Sequence, residues 1–411
     1  MTRGDVRSAG PAGTPAPRAR RRRWSGVDLL ALALLAVGLG MLATGLEPGY
    51  DARATLARIG PLLIFLAAVL VLADLAARAE LFDVLANRLA GVARGSYPAL
   101  FALCVVLAAL TTTILNLDTT AVLLTPVLIA VAVRAGLPAE PLAMTTVWLA
   151  HTASLLLPVS NLTNLLAADR IDLAGPRFAE RMAVPQLVAV SITAAGLWFC
   201  YWRRSRPRGG VPVPEPRRPA DRLLFRIAAL TCTGFAVGVL AGAPVQLVAV
   251  AGAVVLVVAF AVRDRRALRW ELVPWRLPAL VTGLFLIVDT VGRYGLSTVL
   301  AAAVGDDPGA LGVWRAAGVG AVLANVITNL PAYLAAETVV PVGHTDQLLG
   351  LLVGTNVGPL PLPWASLATL LWWDRCRAAG LEIDWRRFVL TGALTAAVTL
   401  VGTVATLLAT G

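Results

Sequence analysis

The residues of this sequence that could do chemistry are polar ones set inside apolar runs, and they fall into four short clusters. The first is Asn116-Leu117-Asp118-Thr119-Thr120 and the second Ser160-Asn161-Leu162-Thr163-Asn164. The third is Thr328-Asn329-Leu330-Pro331, and the fourth Gly354-Thr355-Asn356-Val357-Gly358-Pro359, with Ser366 a little beyond. Amides and hydroxyls donate and accept hydrogen bonds without a full charge. They suit the holding and release of a small solute or ion better than the making and breaking of bonds. Asp118 stands apart. A carboxylate at membrane depth costs on the order of 3 kcal/mol or more to insert. Such an acid serves as a proton carrier or cation ligand, or it caps the helix opening at Thr119. His151, upstream of Asn161, is a second proton-coupling candidate; structural hydrogen bonding is the alternative. The candidate binding set is therefore Asn116, Asp118, Thr119, Ser160, Asn161, Thr163, Asn164, Thr328, Asn329, Thr355, Asn356 and Ser366.

Several kinds of chemistry have no residues to carry them. The chain contains no lysine, which excludes a Walker A lysine and a Schiff base. It has no H-E-x-x-H, no paired aspartates at G-x-G-D, no zinc-binding His pair and no Ser/His pair. Cys104, Cys200, Cys232 and Cys376 are too scattered to resemble a zinc or disulfide pair, and they read as small apolar filler. No metal, cofactor or enzymatic role is expected, only a coupling ion, H+ or Na+. The Asp74/Arg78 and Asp289/Arg293 pairs have i,i+4 spacing and read as structural neutralisation at span ends.

The elements that must position these clusters are membrane spans. Of 411 residues, 58% are hydrophobic and only 14% charged, with a mean hydropathy of +0.77; soluble domains carry about 25% charged residues. Apolar runs of spanning length recur at 25–46, 61–77, 139–168, 182–202, 223–242, 245–262, 277–291, 347–371 and 388–410. Arg20–Arg23 followed by an apolar run resembles a signal peptide, but no small-residue cleavage site follows, so it reads as an uncleaved first span. The +11 net charge comes from arginines gathered in loops, the mark of a bilayer and not of nucleic acid. Two further apolar stretches, 97–134 and 311–343, are interrupted by the first and third clusters.

The two halves repeat. Asp74-x-x-x-Arg78-x-x-Leu81-x-x-Val84-Leu85-Ala86 matches Asp289-x-x-x-Arg293-x-x-Leu296-x-x-Val299-Leu300-Ala301 without a gap. An interrupted stretch follows each, then Thr125-Pro126-Val127 against Val340-Pro341-Val342, then a broken span at the second or fourth cluster. If both interrupted stretches are re-entrant hairpins and the N-terminus is cytoplasmic, loops 78–96, 203–222, 263–276 and 374–387 fall on the cytoplasmic side. These are the arginine-rich loops. The same count puts an odd number of crossings between the repeats, which inverts them. The fold expected is an all-α polytopic membrane protein of two inverted-topology repeats, each with a re-entrant hairpin and a broken helix. Residues 1–23 form a disordered basic tail, 24–202 the first repeat with an extra N-terminal span, 203–222 a cytoplasmic linker and 223–411 the second repeat. Such a fold brings the four clusters together near the bilayer midplane and implies a secondary transporter.

The clusters also carry a family likeness over most of residues 25–410. Trp148-Leu-Ala-His151-Thr-Ala-Ser-Leu-Leu-Leu-Pro-Val-Ser160-Asn161-Leu-Thr-Asn164 is similar to the T-A-S-L-P-x-x-V-S-N-L-x-N stretch of the arsenical pump membrane protein (ArsB) family. Gly358-Pro-Leu-Pro-Leu-Pro-Trp-Ala-Ser366-Leu-Ala-Thr-Leu-Leu-Trp372 resembles that family's G-P-x-x-T-P-x-G-S-L-A-T-L-L-W, and Asn116-x-Asp118 with Leu124-Thr125-Pro126 resembles its N-D and L-T-P. The family lies in the ion transporter superfamily that includes sodium/dicarboxylate symporters. The chain departs from it at Leu117, where the family has Asn, at His151, where it has Asp, and at the apolar Leu360–Pro363. The resemblance implies efflux of arsenite or antimonite across the plasma membrane, driven by an ion or proton gradient, with elevator-like movement of the hairpin-bearing core. It also allows a separate ATPase subunit, and a homodimer is a further possible assembly. A sodium- or proton-coupled carboxylate or other anion transporter, or a sodium/proton antiporter, is the alternative on the same architecture.

Overall fold

A computed structural model describes residues 26–46, 49–173, 175–207, 218–241, 243–269, 272 and 275–411. The basic tail 1–23 and the middle of the linker, 208–217, lie outside the described residues, as do the side chains of Asp289 and Arg293. Among the described residues every regular element is helical, and seven helices are long and apolar enough to cross a bilayer. A backbone in hydrocarbon must satisfy its own polar groups, which helices do. Leu187, Leu230, Leu247, Val322, Val326 and Leu390 are exposed on these helices, where lipid tails take the place of a protein core.

The first half runs α1 (Gly26–Ala43), α2 (Gly49–Arg78), α3 (Leu81–Val92), α4 (Tyr97–Ile114), α5 (Leu117–Thr119), α6 (Thr125–Arg134), α7 (Ala139–Thr152), α8 (Leu162–Arg170) and α9 (Gly175–Leu197). A π-turn, Thr120–Leu124, joins α5 to α6, and another, Trp198–Trp202, extends α9. The second half runs α10 (Arg222–Leu240), α11 (Val245–Arg263), α12 (Arg276–Val291), α13 (Ser297–Val304), α14 (Ala310–Ile327), α15 (Asn329–Glu337), α16 (Thr345–Val357), α17 (Leu367–Ala378) and α18 (Trp385–Ala409).

The interrupted stretch 97–134 is a hairpin. Thr112 Oγ1 donates to Thr120 Oγ1 at 3.1 Å, whereas eight residues of continuous helix would separate them by about 12 Å. The helix before it, α3, accordingly packs against both the outgoing arm α4 and the returning α6. In the second half α13 packs in the same way against both α14 and α15.

The hairpins enter from opposite faces. At one face Tyr97 Oη, at the start of α4, donates to the Trp202 carbonyl at 2.9 Å, and Trp202 Nε1 donates to the Pro141 carbonyl at 3.1 Å. Arg387 joins Glu140 there at 2.9 Å, Arg78 donates to the Ala267 carbonyl at 2.7 Å, and Arg263 pairs with Asp221 at 2.6 Å. All four arginine-rich loops therefore share this face. At the other, Gln347 donates to the Gly305 carbonyl at 2.8 Å and Arg181 pairs with Asp346 at 2.6 Å. Asp306 and Asp307, just before α14, lie on this acidic side. The repeats interlock as well: α1 of the first half packs on α12 of the second, and α11 of the second packs on α2 of the first. The α1–α12 crossing is close because Gly38 and Gly283 meet; a Cβ on Gly38 would stand 3.0 Å from the Gly283 carbonyl oxygen.

One detail of the repeat differs from the sequence match. Pro126 lies in the first turn of α6, but Pro341 falls in the loop after α15, which ends at Glu337. The second return arm is shorter, so Pro341 has no helical turn to enter, and the two prolines do not correspond.

Candidate transport site

Four helix starts meet in one cavity. It is lined by Leu117 and Asp118 of α5, Leu162 of α8, Asn329 and Leu330 of α15 and Leu367 of α17, with Asn116, Asn161 and Thr328 at the breaks. Its room for water-sized molecules is about 50 Å³, enough for a few waters or one small solute. Phe65 of α2 and Leu280, Val281 and Leu284 of α12 form an apolar wall. The positive ends of the helix dipoles thus face the cavity, an arrangement that favours electron-rich atoms. Among the described residues no arginine and no cysteine lines the cavity.

Local sequence explains each break. Asn116 caps α5: its side chain accepts from the Thr119 N–H at 2.7 Å. Capping therefore does not occupy Asp118, whose half-buried carboxylate makes no hydrogen bond to the protein among the described residues and faces the cavity. Asn161 caps α8 by accepting from the Thr163 N–H at 3.3 Å, and Ser366 caps α17 by accepting from the Ala368 N–H at 3.1 Å. Thr328 begins α15 with φ 74° and ψ 160°. That region is essentially reserved for glycine and costs a β-branched residue about 1–3 kcal/mol. The Asn329 N–H donates to the Ala365 carbonyl at 2.9 Å, which ties the hairpin tip to the loop before α17.

Behind the cavity lies a buried amide network. Asn161 Nδ2 and Thr163 Oγ1 both donate to Asn356 Oδ1, at 2.8 and 2.9 Å, and Asn356 Nδ2 donates to Asn164 Oδ1 at 2.8 Å. Asn164 Nδ2 in turn donates to the carbonyls of Ser154 at 2.5 Å and Leu157 at 3.0 Å. Asn356 thus orients Asn161 and does not itself line the cavity. His151 bridges the two broken spans, its Nε2 3.0 Å from Thr369 Oγ1. These links are related by symmetry. The chain shift that carries Asn161 to Ser366 also carries His151 to Asn356 and Asn164 to Thr369, so His151–Thr369 and Asn356–Asn164 are the same contact made twice. A slightly larger shift carries Thr113 to Asn325, and each holds the loop beyond it: Thr113 Oγ1 donates to the Ala153 carbonyl at 3.0 Å, Asn325 Nδ2 to that of Gly358 at 2.7 Å.

The remaining sequence candidates do other work. Ser160 Oγ donates to the Thr113 carbonyl at 2.8 Å, Thr355 Oγ1 to its own helix at Leu352, 3.1 Å away, and Thr119 is buried beneath the tip. Sequence reasoning passed over Gln186, whose Oε1 accepts from the Leu155 N–H at 2.8 Å and whose Nε2 donates to Thr113 Oγ1 at 3.1 Å. It also passed over Asn325 and the buried acid Glu337. Each was visible as a polar residue inside an apolar run.

A family model described as CitMHS, citrate transporter, matches residues 22–369. The chain belongs to the CitMHS citrate transporter family. Among relatives of this family member, an arsenical pump membrane protein of Yersinia enterocolitica is 27% identical, over 92% of this chain and 90% of its own. One of Escherichia coli is 28% identical over 79% and 80%, and a putative one of Bacillus subtilis 23% over 75% and 78%. The fold is that of the Alcanivorax borkumensis YdaH transporter, whose crystal structure reveals an unusual topology; the TM-score is 0.59 at 15% identity, over 93% of this chain and 96% of that one. This family member is a multi-pass membrane transporter with a helical, inverted-repeat architecture.

Proposed function

We propose that this transporter exports arsenite or antimonite, driven by a proton or sodium gradient, with Asp118 as the group that carries the coupling ion. The observation behind this reading is the polar part of the cavity lining, which among the described residues consists of amides, a hydroxyl and one carboxylate with no basic side chain. Arsenite at neutral pH is an uncharged triol, and such a lining can both donate to and accept from its hydroxyls. The absence of lining cysteines suits release, because As–S bonds would trap the solute. Relatives named arsenical pump membrane proteins, aligned along most of both chains, support the same substrate. We place the arginine-rich face in the cytoplasm, following the positive-inside bias.

A second reading, transport of a small carboxylate, is favoured by the four helix starts and the family description. A whole tricarboxylate would set its charges against Asp118 with no arginine to offset them, so the first reading is preferred. Proteoliposomes loaded under imposed proton or sodium gradients decide between them. Gradient-driven arsenite movement, removed by Asp118→Asn, is expected. Accumulation of citrate with no movement of arsenite would overturn the arsenite reading in favour of the second.

A further inference from the structure

Away from the transport cavity, at the arginine-rich face, α3 and the start of α10 enclose a second concavity of about 280 Å³. It is lined by Arg88, Arg218, Pro219, Arg222, Phe225 and Arg226. All four arginines are exposed, and none has a hydrogen bond or ion pair among the described residues. Two neighbouring acids, Asp221 and Glu80, are engaged elsewhere. Asp221 pairs with Arg263 at 2.6 Å and accepts from the Leu223 and Leu224 N–H groups at 2.8 and 3.1 Å. Glu80 accepts from the Ala220 N–H at 2.6 Å. Four guanidinium groups around one hollow repel each other unless an anion with several acceptor oxygens sits between them, and their forked donors match a phosphate.

The position of the hollow says which phosphate. α10 crosses the membrane, so Arg222 and Arg226 in its first turns stand at headgroup depth. Leu223 beside them and Leu230 and Val237 further along the helix are exposed. They recur every two turns, so they form one apolar track, within about a quarter turn of Arg222 and Arg226 around the helix. A free phosphate would use only the hollow; a lipid would use the hollow and the track. We propose that this site binds the phosphate headgroup of an anionic phospholipid, with its acyl chains lying along Leu223, Leu230 and Val237. Because α3 packs against both arms of the first hairpin, a lipid bound here would brace the base of that hairpin.

Native mass spectrometry of the full-length protein in neutral detergent tests this with phosphatidylglycerol, phosphatidylcholine and inorganic phosphate as separate probes. Retention of phosphatidylglycerol well above phosphatidylcholine is expected. Arg222→Gln with Arg226→Gln should lower it by about 25-fold, at about fivefold per arginine. A control carrying Arg203→Gln and Arg204→Gln, with the same change in net charge, should retain it. Equal retention of the two lipids, an equal loss in the control, or phosphate displacing the lipid at equimolar concentration would overturn the proposal. If the double variant does not fold, the wild-type comparison of the two lipids decides alone.

Discussion

Asn116 and Thr328 both open the return arm of a re-entrant hairpin, yet two residues further on the first hairpin carries Asp118 and the second Leu330. The arms differ too. The first hairpin is held by side-chain hydroxyls, Thr112 on Thr120 and Thr113 on the Ala153 carbonyl. The second is packed backbone to backbone against α16: a Cβ on Gly350 would stand 2.7 Å from the Val313 carbonyl oxygen, and one on Gly320 2.7 Å from that of Leu351. Small residues at four-residue spacing allow such close approach in a membrane. Duplication thus supplied a symmetric frame, and divergence put the carboxylate that lines the cavity on one hairpin and the closest backbone packing on the other. One carboxylate suffices for the proposed coupling; a second at the same depth would add its own insertion cost.

The sharpest way to break this comparison is to move the charge. Asp118→Leu combined with Leu330→Asp keeps one acid in the cavity and changes only which hairpin bears it. If coupling belongs to the first hairpin, transport in proteoliposomes falls by roughly a hundredfold, the scale of losing about 3 kcal/mol of charged contact. Activity close to wild type would show that the hairpins are interchangeable.

How far the sequence revealed this site depends on what each residue type can disguise. The breaks themselves were legible, because polar backbone and side chains inside an apolar run must be buried in protein or line a wet cavity. The pairing of the broken spans was not. The sequence match set the second cluster against the fourth, whereas in the structure the repeat equivalent of Asn161 is Ser366 and that of Asn356 is His151. Asn and Ser cap helices about equally well, so the repeat kept the cap and changed its letter. The sequence likewise offered Asp118 as the cap of the first tip, and the backbone turn gives that role to Asn116. The close approach of Gly350, Gly354 and Gly358 to α14 was not legible either, since partner choice depends on the fold of the hairpin.

Packing gives the next test. A side chain on Gly354 would drive into the Ala317 carbonyl of α14. Gly354→Leu is expected to destabilise the protein by about 3 kcal/mol, the upper range for overpacking. The corresponding position of the first half is already Leu149, buried without such a clash. A melting curve in detergent that leaves the variant unchanged would show that the two halves pack alike. Thr328 offers a subtler contrast. Glycine there relieves the φ 74° strain, so Thr328→Gly should raise stability by about 1–2 kcal/mol while it lowers transport, because the hydroxyl at the cavity edge is lost. Gain of stability with full transport would mean that the strain holds nothing of use.

The smallest effect concerns an acid outside the membrane, and it calibrates the one inside. Asp221 caps α10, and the Arg263 guanidinium, with help from the Leu224 and Leu223 N–H groups, holds its carboxyl below the usual carboxylate range. A depressed acid contributes stability above its unfolded-state pKa and loses that contribution as pH falls through its folded-state value. Asp221→Asn keeps a good cap and removes the ion pair. Its melting temperature should therefore sit slightly below wild type at neutral pH and converge with it in strong acid, while transport and its dependence on neutral pH stay as they were. If instead the transport profile shifted in Asp221→Asn, the pH sensitivity of this protein would belong to its arginine-rich face, and the case for Asp118 as the sole coupling group would fail.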